Sequence, residues 1–334
     1  MKKYNVAVVG VGAVGQEMIR VLKQRNFPVN DLKVFARSDR TIIVDNANYS
    51  VKELKKDSFA GIDIALFAGT EGEKGAATVF AAEAVKQGAV VIDNGADFRM
   101  QKDVPLVVPE ANAKDIKSHK GIIANPNCST IQMIVALAPI YRKFGLKRII
   151  VSTYQAVSGS GRSGIVQIED EYRKWASNSS EPVEQPMGDS IAFNLFPHIG
   201  GFAEDDYTSE EWKMVKETHK IFHDKKIKVS ATTVRVSVRN GHSEAVYIET
   251  SKKCTVSDVK KLLSKAPGVI VIDDPKNNKY PMPSHCDGKD EVFVGRVRRD
   301  PFVKNAFWLW VVADNLRKGA ASNAVQIAEE LIKQ

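Results

Sequence analysis

Short apolar runs alternate with helical periodicity through the first third of the chain. Runs at 6–9, 33–36, 64–68, 90–93 and 121–124 are apolar at nearly every position, as expected of strands buried on both faces. Between them, 16–24 and the alanine-rich stretch 75–87 read as helices. Strand, helix and strand in that order predict right-handed crossovers and a Rossmann-type α/β domain with a doubly wound parallel sheet. After residue 128 the pattern changes. Longer β-rich segments at 148–155, 228–238, 244–250, 291–297 and 306–312 predict an α+β second domain with a mixed sheet. Residues 176–190, with Ser179, Ser180, Pro182 and Pro186, read as a loop. The last segment, about 316–334, carries Ala324, Ile327, Ala328 and Leu331 on one helical stripe that is able to pack back on the first domain. The expected division is 1–127 plus about 316–334 against 128–315, and there is no internal repeat.

The first strand runs into Gly10-Val11-Gly12-Ala13-Val14-Gly15, a G-x-G-x-x-G loop that opens the first helix. Such a loop lets backbone approach a pyrophosphate, and the helix N-terminus offers it unpaired N–H groups. The second strand ends in Ala36-Arg37-Ser38-Asp39-Arg40. Arg37 and Ser38 stand where an NAD-binding chain carries an acidic residue, which favours NADP and its 2′-phosphate. Asp39, one residue further on, argues the other way.

Composition adds limits. The 334 residues include 48 Lys and Arg against 40 Asp and Glu, a net charge of +8, with 43% hydrophobic and 26% charged residues. These proportions fit a globular protein of two domains and exclude collagen, coiled coil and disorder. The basic residues cluster only briefly, as in Lys52, Lys55 and Lys56 or Arg296, Arg298 and Arg299, which reads as solvated surface rather than a nucleic-acid groove. No apolar stretch nears the roughly 18 residues of a membrane span. The apolar start of the chain, broken by Gly10 and Gly12, lacks the form of a signal peptide, so a cytoplasmic protein is expected.

Three scattered cysteines suit neither a disulfide framework nor a metal cluster. Cys128, in Asn125-Pro126-Asn127-Cys128-Ser129-Thr130, lies between a strand and a helical pattern, so the helix N-terminus favours its thiolate. Cys254 and Cys286 lack such a setting. Among six histidines, His242 in Arg239-Asn240-Gly241-His242 is the best partner for a cysteine. Asn-Gly suggests a two-residue hairpin, with Arg239 opposite His242 and Arg235 further along the same face. His219 lies on a helix face with Trp212, Val215 and Phe222 and suits a semi-buried structural role.

Together these stretches resemble the aspartate-β-semialdehyde dehydrogenase family over essentially the full chain. The likeness rests on residues 10–15, 93–99, 125–130, Tyr154-Gln155-Ala156-Val157-Ser158-Gly159, 194–200, 210–213, 235–243 and 309–326. The resemblance implies an NADP-dependent phosphorylating aldehyde dehydrogenase. It would interconvert L-aspartate 4-semialdehyde plus phosphate with 4-aspartyl phosphate, on the way to lysine or diaminopimelate, threonine and methionine. It further implies Cys128 as nucleophile through a thioester, His242 as acid/base, Gln155 orienting substrate and Asn127 supporting the site. Arg235 would bind the substrate carboxylate, Glu210 its amino group, and Arg99 and Lys213 phosphate. Gly10, Gly12, Ala13, Val14, Gly15, Arg37, Ser38, Ser158, Gly159 and Asn315 match cofactor positions. The first domain would bind NADP, and the second would carry catalysis and dimerisation. The partners are small molecules rather than nucleic acid or membrane, no metal is required, and the assembly is a homodimer with a tetramer as the alternative.

Two departures stand out: Gly95-Ala96-Asp97 replaces the family's usual serines before Arg99, and Ser237 replaces a proline, which is expected to loosen that strand. The rival readings are N-acetyl-γ-glutamyl-phosphate reductase, whose cysteine usually follows glycine rather than Asn127, and an idle NADP-binding or redox-sensing protein.

Overall fold

The computed structural model describes residues 2–69, 72 and 74–333. Met1 and Gln334, the outer bounds of the expected first domain, lie outside the described residues. The chain divides into two compact units, Met1–Asn127 with Ala320–Gln334, and Cys128–Gly319.

The first unit holds strands β1 (Tyr4–Val9), β2 (Val29–Ala36), β3 (Arg40–Val44), β4 (Ala47–Glu53), β5 (Ile64–Phe67), β6 (Val90–Asp93) and β7 (Ile122–Ala124). Helices α1 (Ala13–Gln24), α2 (Ala76–Lys86) and the short α3 (Pro109–Asn112) connect them. The sheet order is β3-β4-β2-β1-β5-β6-β7, parallel throughout except for the β3–β4 pair. Alternate residues feed two cores. Val6 and Val8 pack with Met18, Ile19 and Leu22 of α1 and with Ala324, Val325 and Ile327 of the C-terminal helix, Ser322–Leu331. Ala7 and Val9 pack with Ala77, Ala81 and Ala84 of α2. Helices on both faces explain why these runs are apolar at every position.

The β3–β4 hairpin is not anticipated by the sequence reading. Val44 pairs with Ala47 across Asp45 and Asn46, both at positive φ, so the loop has the two-residue form that asparagine and aspartate favour. Its half-exposed strands carry too few apolar residues to stand out.

The second unit is built on α4 (Cys128–Phe144), β8 (Leu146–Gln155), α5 (Gly161–Ser177), β9 (Leu195–Phe196), α6 (Ser209–Phe222), β10 (Lys228–Val236), β11 (His242–Thr250), α7 (Val256–Leu263), β12 (Val269–Val271), α8 (Pro283–Cys286), β13 (Val292–Arg299) and β14 (Ala306–Ala313). Its sheet, β12-β13-β14-β11-β8-β10-β9, mixes parallel β8–β10 and β12–β13 pairs with antiparallel ones. Helices α4, α6 and α7 pack against it. Helix α6 begins with a capping box, in which Thr208 accepts from the Glu211 N–H and the Glu211 carboxylate accepts from the Thr208 N–H.

One expectation fails. β10 and β11 do not form the hairpin that Asn240-Gly241 suggests; β8 lies between them, parallel to β10 and antiparallel to β11. The carbonyls of Val238 and Arg239 are taken by the N–H groups of Val157 and Ser158, which carries the chain past the end of β8 to its other edge. Arg239 pairs with Glu169 on the surface, not with His242. Nor is Ser237 a loose point: its hydroxyl lies 2.6 Å from that of Tyr172 on α5.

Among the described residues, no helix is long and apolar enough to cross a membrane.

Candidate active site

In the first unit each glycine of the loop has its own reason. Gly10 sits at φ +97°, which L-residues avoid. A Cβ on Gly15 would overlap the Gly10 carbonyl oxygen, so this glycine is what lets α1 close on β1. A Cβ on Gly12 would meet nothing within 4 Å; this residue is the N-cap, where the backbone lies open to a ligand. Ala13 and Val14 begin α1, and its first turn carries no acidic side chain to compete with a bound phosphate. These residues fit the pyrophosphate of a dinucleotide.

Beyond β2, Arg37 and Ser38 are exposed. Asp39 accepts from the Glu53 N–H at 2.7 Å and from Lys52 at 3.3 Å, and these bonds hold its carboxyl below the usual carboxylate range. Asp39 is thus tied to β4, beside the exposed Arg37 and Ser38.

Arg99 is buried, with Nε donating to the Asn125 carbonyl at 2.9 Å and Nη2 to the Asn94 carbonyl at 2.8 Å. It therefore braces the loops that follow β6 and β7, including the segment that leads to buried Asn127. Asp97 faces elsewhere, accepting from the Gly72 N–H at 3.0 Å.

In the second unit, Cys128 is the first residue of α4 and half-buried. A Cβ on Gly319 would come within 3.0 Å of the Cys128 Cβ, so the bare glycine leaves this cysteine its room. The sequence reading did not single out Gly319, although it stands in the 309–326 stretch.

Beside Cys128 the sheet sets three side chains in a row. Arg235 on β10 pairs with Gln155 on β8, and Gln155, next after the Tyr154–Ser243 pair, lies beside His242 on β11. All three point to the same face and are buried. The Arg235 and His242 tips converge on Gly159, where a Cβ would lie 2.7 Å from Arg235 Nη1 and 3.2 Å from His242 Nε2. Arg235 Nη1 also donates to the Ala156 carbonyl at 2.7 Å. Burial lowers the Arg235 pKa, while the negative charges of Cys128 and Glu210 favour its cationic form. By the same attraction Arg235 favours the Cys128 thiolate.

The His242 ring is wholly buried. Its Nδ1 accepts from the Ala156 N–H at 3.1 Å, and Nε2 has no hydrogen-bond partner. With Nδ1 held as an acceptor, the neutral ring carries its proton on Nε2. Burial, and then the Arg235 charge, push the pKa well below the usual histidine value, so the ring is neutral at physiological pH. His242 thus presents an Nε2–H donor, where the sequence reading expected a group that takes up the thiol proton.

Glu210 is buried; Gln155 Nε2 approaches its Oε1 at 3.4 Å, and Lys213 Nζ lies 3.5 Å from its Oε2. Ser158 and Asn315 bond to each other, and Asn315 Oδ1 accepts from the Gly241 N–H at 3.0 Å, which fixes the turn before His242. The other two cysteines are inert by setting. Burial raises both thiols, that of Cys286 to about 12, and the Cys286 Sγ–H is tied to the Pro283 carbonyl. His219 is spent on the Ile227 carbonyl at 2.8 Å.

Residues 5–119 match the family model described as semialdehyde dehydrogenase, NAD binding domain, and residues 137–318 the one described as semialdehyde dehydrogenase, dimerisation domain. The chain is 53% identical to the aspartate-semialdehyde dehydrogenase of Aquifex aeolicus (strain VF5) over 99% of this chain and 98% of that protein. It is similar in fold to aspartate semialdehyde dehydrogenase II of Vibrio cholerae complexed with ASA, with a TM-score of 0.94 and 43% identity over 100% of this chain and 99% of that one. It is also similar to the Candida albicans aspartate semialdehyde dehydrogenase with NADP, with a TM-score of 0.75 and 25% identity over 99% of each chain.

Proposed function

Because the chain belongs to the aspartate-semialdehyde dehydrogenase family, we propose that it converts 4-aspartyl phosphate reversibly to L-aspartate 4-semialdehyde and phosphate. This is a branch-point step towards lysine or diaminopimelate, threonine and methionine. The observation that carries the reading is the row Arg235, Gln155 and His242 beside a half-buried cysteine at a helix N-terminus.

The Cys128 thiolate attacks the acyl carbonyl. The C–S bond forms, the C–O bond to phosphate breaks, and a thioester remains on the enzyme. A nicotinamide cofactor, when bound, supplies the hydride that the thioester carbon takes up. His242 Nε2–H donates to the oxygen on which negative charge develops, a contact that strengthens as the charge grows. Collapse of that oxyanion expels the Cys128 thiolate and frees the aldehyde, and the one proton that the overall reduction consumes ends on the departing phosphate, so none is retained at His242. Arg235 suits the substrate carboxylate and Glu210 its ammonium group, while Gln155, beside Arg235 in the row and 3.4 Å from Glu210 Oε1, orients the substrate. Asn127 sets the approach to Cys128, and Lys213 supplies positive charge for phosphate.

Gly10, Gly12, Ala13, Val14 and Gly15 would hold the pyrophosphate of that cofactor. Arg37 and Ser38 favour NADP. Accordingly Arg37→Ala should weaken NADP binding by about tenfold or more while leaving NAD nearly unchanged, since an Arg–phosphate contact is charge-assisted. Titration with both nucleotides reads this out, and equal losses would remove Arg37 from the site.

The reading is tested by phosphate-dependent reduction of NADP with aspartate semialdehyde, run beside N-acetylglutamate semialdehyde. Turnover of the first substrate only is expected, and a folded protein idle towards it would sink the assignment. A homodimer is the assembly we favour, because Ile150 and Tyr154 of β8 leave apolar surface on the sheet face away from the row. Light scattering at the monomer mass would refute it.

A further inference from the structure

Behind the row of Arg235, Gln155 and His242 lies a second one, Thr233, Thr153 and Glu244. Glu244 follows His242 by two residues on β11, so both face the same way, and it is wholly buried. Helix α4 packs over this face and brings Gln132, one turn after Cys128 and equally buried, against it. Gln132 Nε2 approaches the His242 carbonyl at 3.4 Å, and its amide is also the side chain that meets the Glu244 carboxyl. Yet neither Glu244 oxygen, nor Gln132 Oε1, has a hydrogen bond of ordinary length. These are buried acceptors whose polar neighbour is the Gln132 amide, itself shared with the His242 carbonyl. An ionised carboxylate would be badly placed there, whereas a protonated one supplies the missing donor.

We propose that Glu244 is held as a neutral carboxylic acid that donates its proton to Gln132, and that this pair positions the start of α4, with Cys128, against the start of β11, with His242. The inference rests on the roles given above to those two residues.

Among the described residues, burial and the Gln132 amide are the influences on this carboxyl, and neither is a cation. On β11 the nearest titratable group is the neutral His242. Helix α4 offers Gln132 and, a turn earlier, Cys128, whose thiolate would only favour protonation. Strand β8 offers Thr153 and β14 offers Val311 as the paired residues. Arg235 belongs to β10, beyond β8. Burial pushes the carboxyl well above its usual range, outweighing the Gln132 amide, which by itself would favour the charged form.

Isotope-edited infrared spectroscopy of the full chain at neutral pH should show a protonated-carboxyl stretch that Glu244→Gln removes; an unchanged spectrum overturns the proposal. Glu244→Gln, whose amide N–H replaces the carboxyl O–H, should keep kcat within about threefold. Gln132→Leu and Glu244→Leu should lower kcat about tenfold with KM held within about twofold, as expected when geometry rather than binding is lost. A Glu244→Gln protein as impaired as Glu244→Leu would show that the charge is needed, against the proposal.

Melting adds a reading independent of turnover. Above the unfolded pKa of about 4.3 the unfolded chain is ionised while the folded one keeps its proton, so wild-type stability falls relative to Glu244→Gln as pH rises. The Tm advantage of Glu244→Gln should widen from pH 4 to about pH 8, and a narrowing gap overturns the proposal. The infrared and melting results need no catalysis, so their failure would leave the role of Cys128 standing, and they decide the matter even if Glu244→Leu does not fold.

Discussion

Turnover of the Cys128→Ala protein is expected to fall by about 10⁴-fold or more, with nucleotide affinity unchanged. No other thiol can replace this one. Cys286 is buried with its pKa pushed up to about 12 and its hydrogen given to the Pro283 carbonyl, and burial also raises Cys254. Cys128 alone opens a helix and faces Arg235, and both features favour the thiolate. Nucleotide binding should persist because the Gly10–Gly15 loop belongs to a unit with its own two cores. Steady-state turnover together with a nucleotide titration checks this. Activity within about tenfold of wild type would show that the carbon–sulfur bond is not on the reaction path.

A single methyl group at Gly159 is expected to cost about 10²-fold in kcat/KM. The new Cβ would lie 2.7 Å from Arg235 Nη1 and 3.2 Å from His242 Nε2. Neither side chain has an easy retreat. Arg235 is buried and bonded to the Ala156 carbonyl, and the His242 ring is wholly buried and held at Nδ1 by the Ala156 N–H. Something must shift, and Arg235 and His242 would be displaced together. Because the clash falls on buried side chains, the melting temperature should fall as well, by a few degrees for a cost of about 1–3 kcal/mol. Kinetics paired with a thermal melt separates the two effects. An unchanged kcat/KM would mean that Arg235 and His242 can move without consequence, which their packing argues against.

Several features were legible before any coordinates. The glycine loop, the doubly buried strands and the position of Cys128 at a helix start all depend on neighbours within a few residues. Local chemistry suffices for them: a positive φ at Gly10, apolar residues at successive positions, a helix opening after Asn127. Helix α5 was not legible, because Gly161 and Gly164 interrupt its first turn and few apolar residues mark its inner face. The β3–β4 hairpin was missed although Asp45-Asn46 carried its signal, since its strands are half-exposed.

The chain by itself thus determined a nucleotide-binding α/β unit, a candidate nucleophile and, through its full-length likeness, the family. The tertiary structure decided the rest of the site. The Asn240-Gly241 turn suggested that Arg235 and His242 share a hairpin, and local propensity contains nothing to contradict it. What overrides it is pairing with β8, some 80 residues earlier in the chain, whose two edges take β10 and β11 separately. That insertion seats Gln155 between Arg235 and His242, and brings the Ala156 N–H to His242 Nδ1, which places the imidazole proton on Nε2. The Gln132–Glu244 contact beneath Cys128 arises in the same way, from a helix laid over a distant strand. Such contacts are set by which surfaces must be buried together, and no stretch of sequence records that alone.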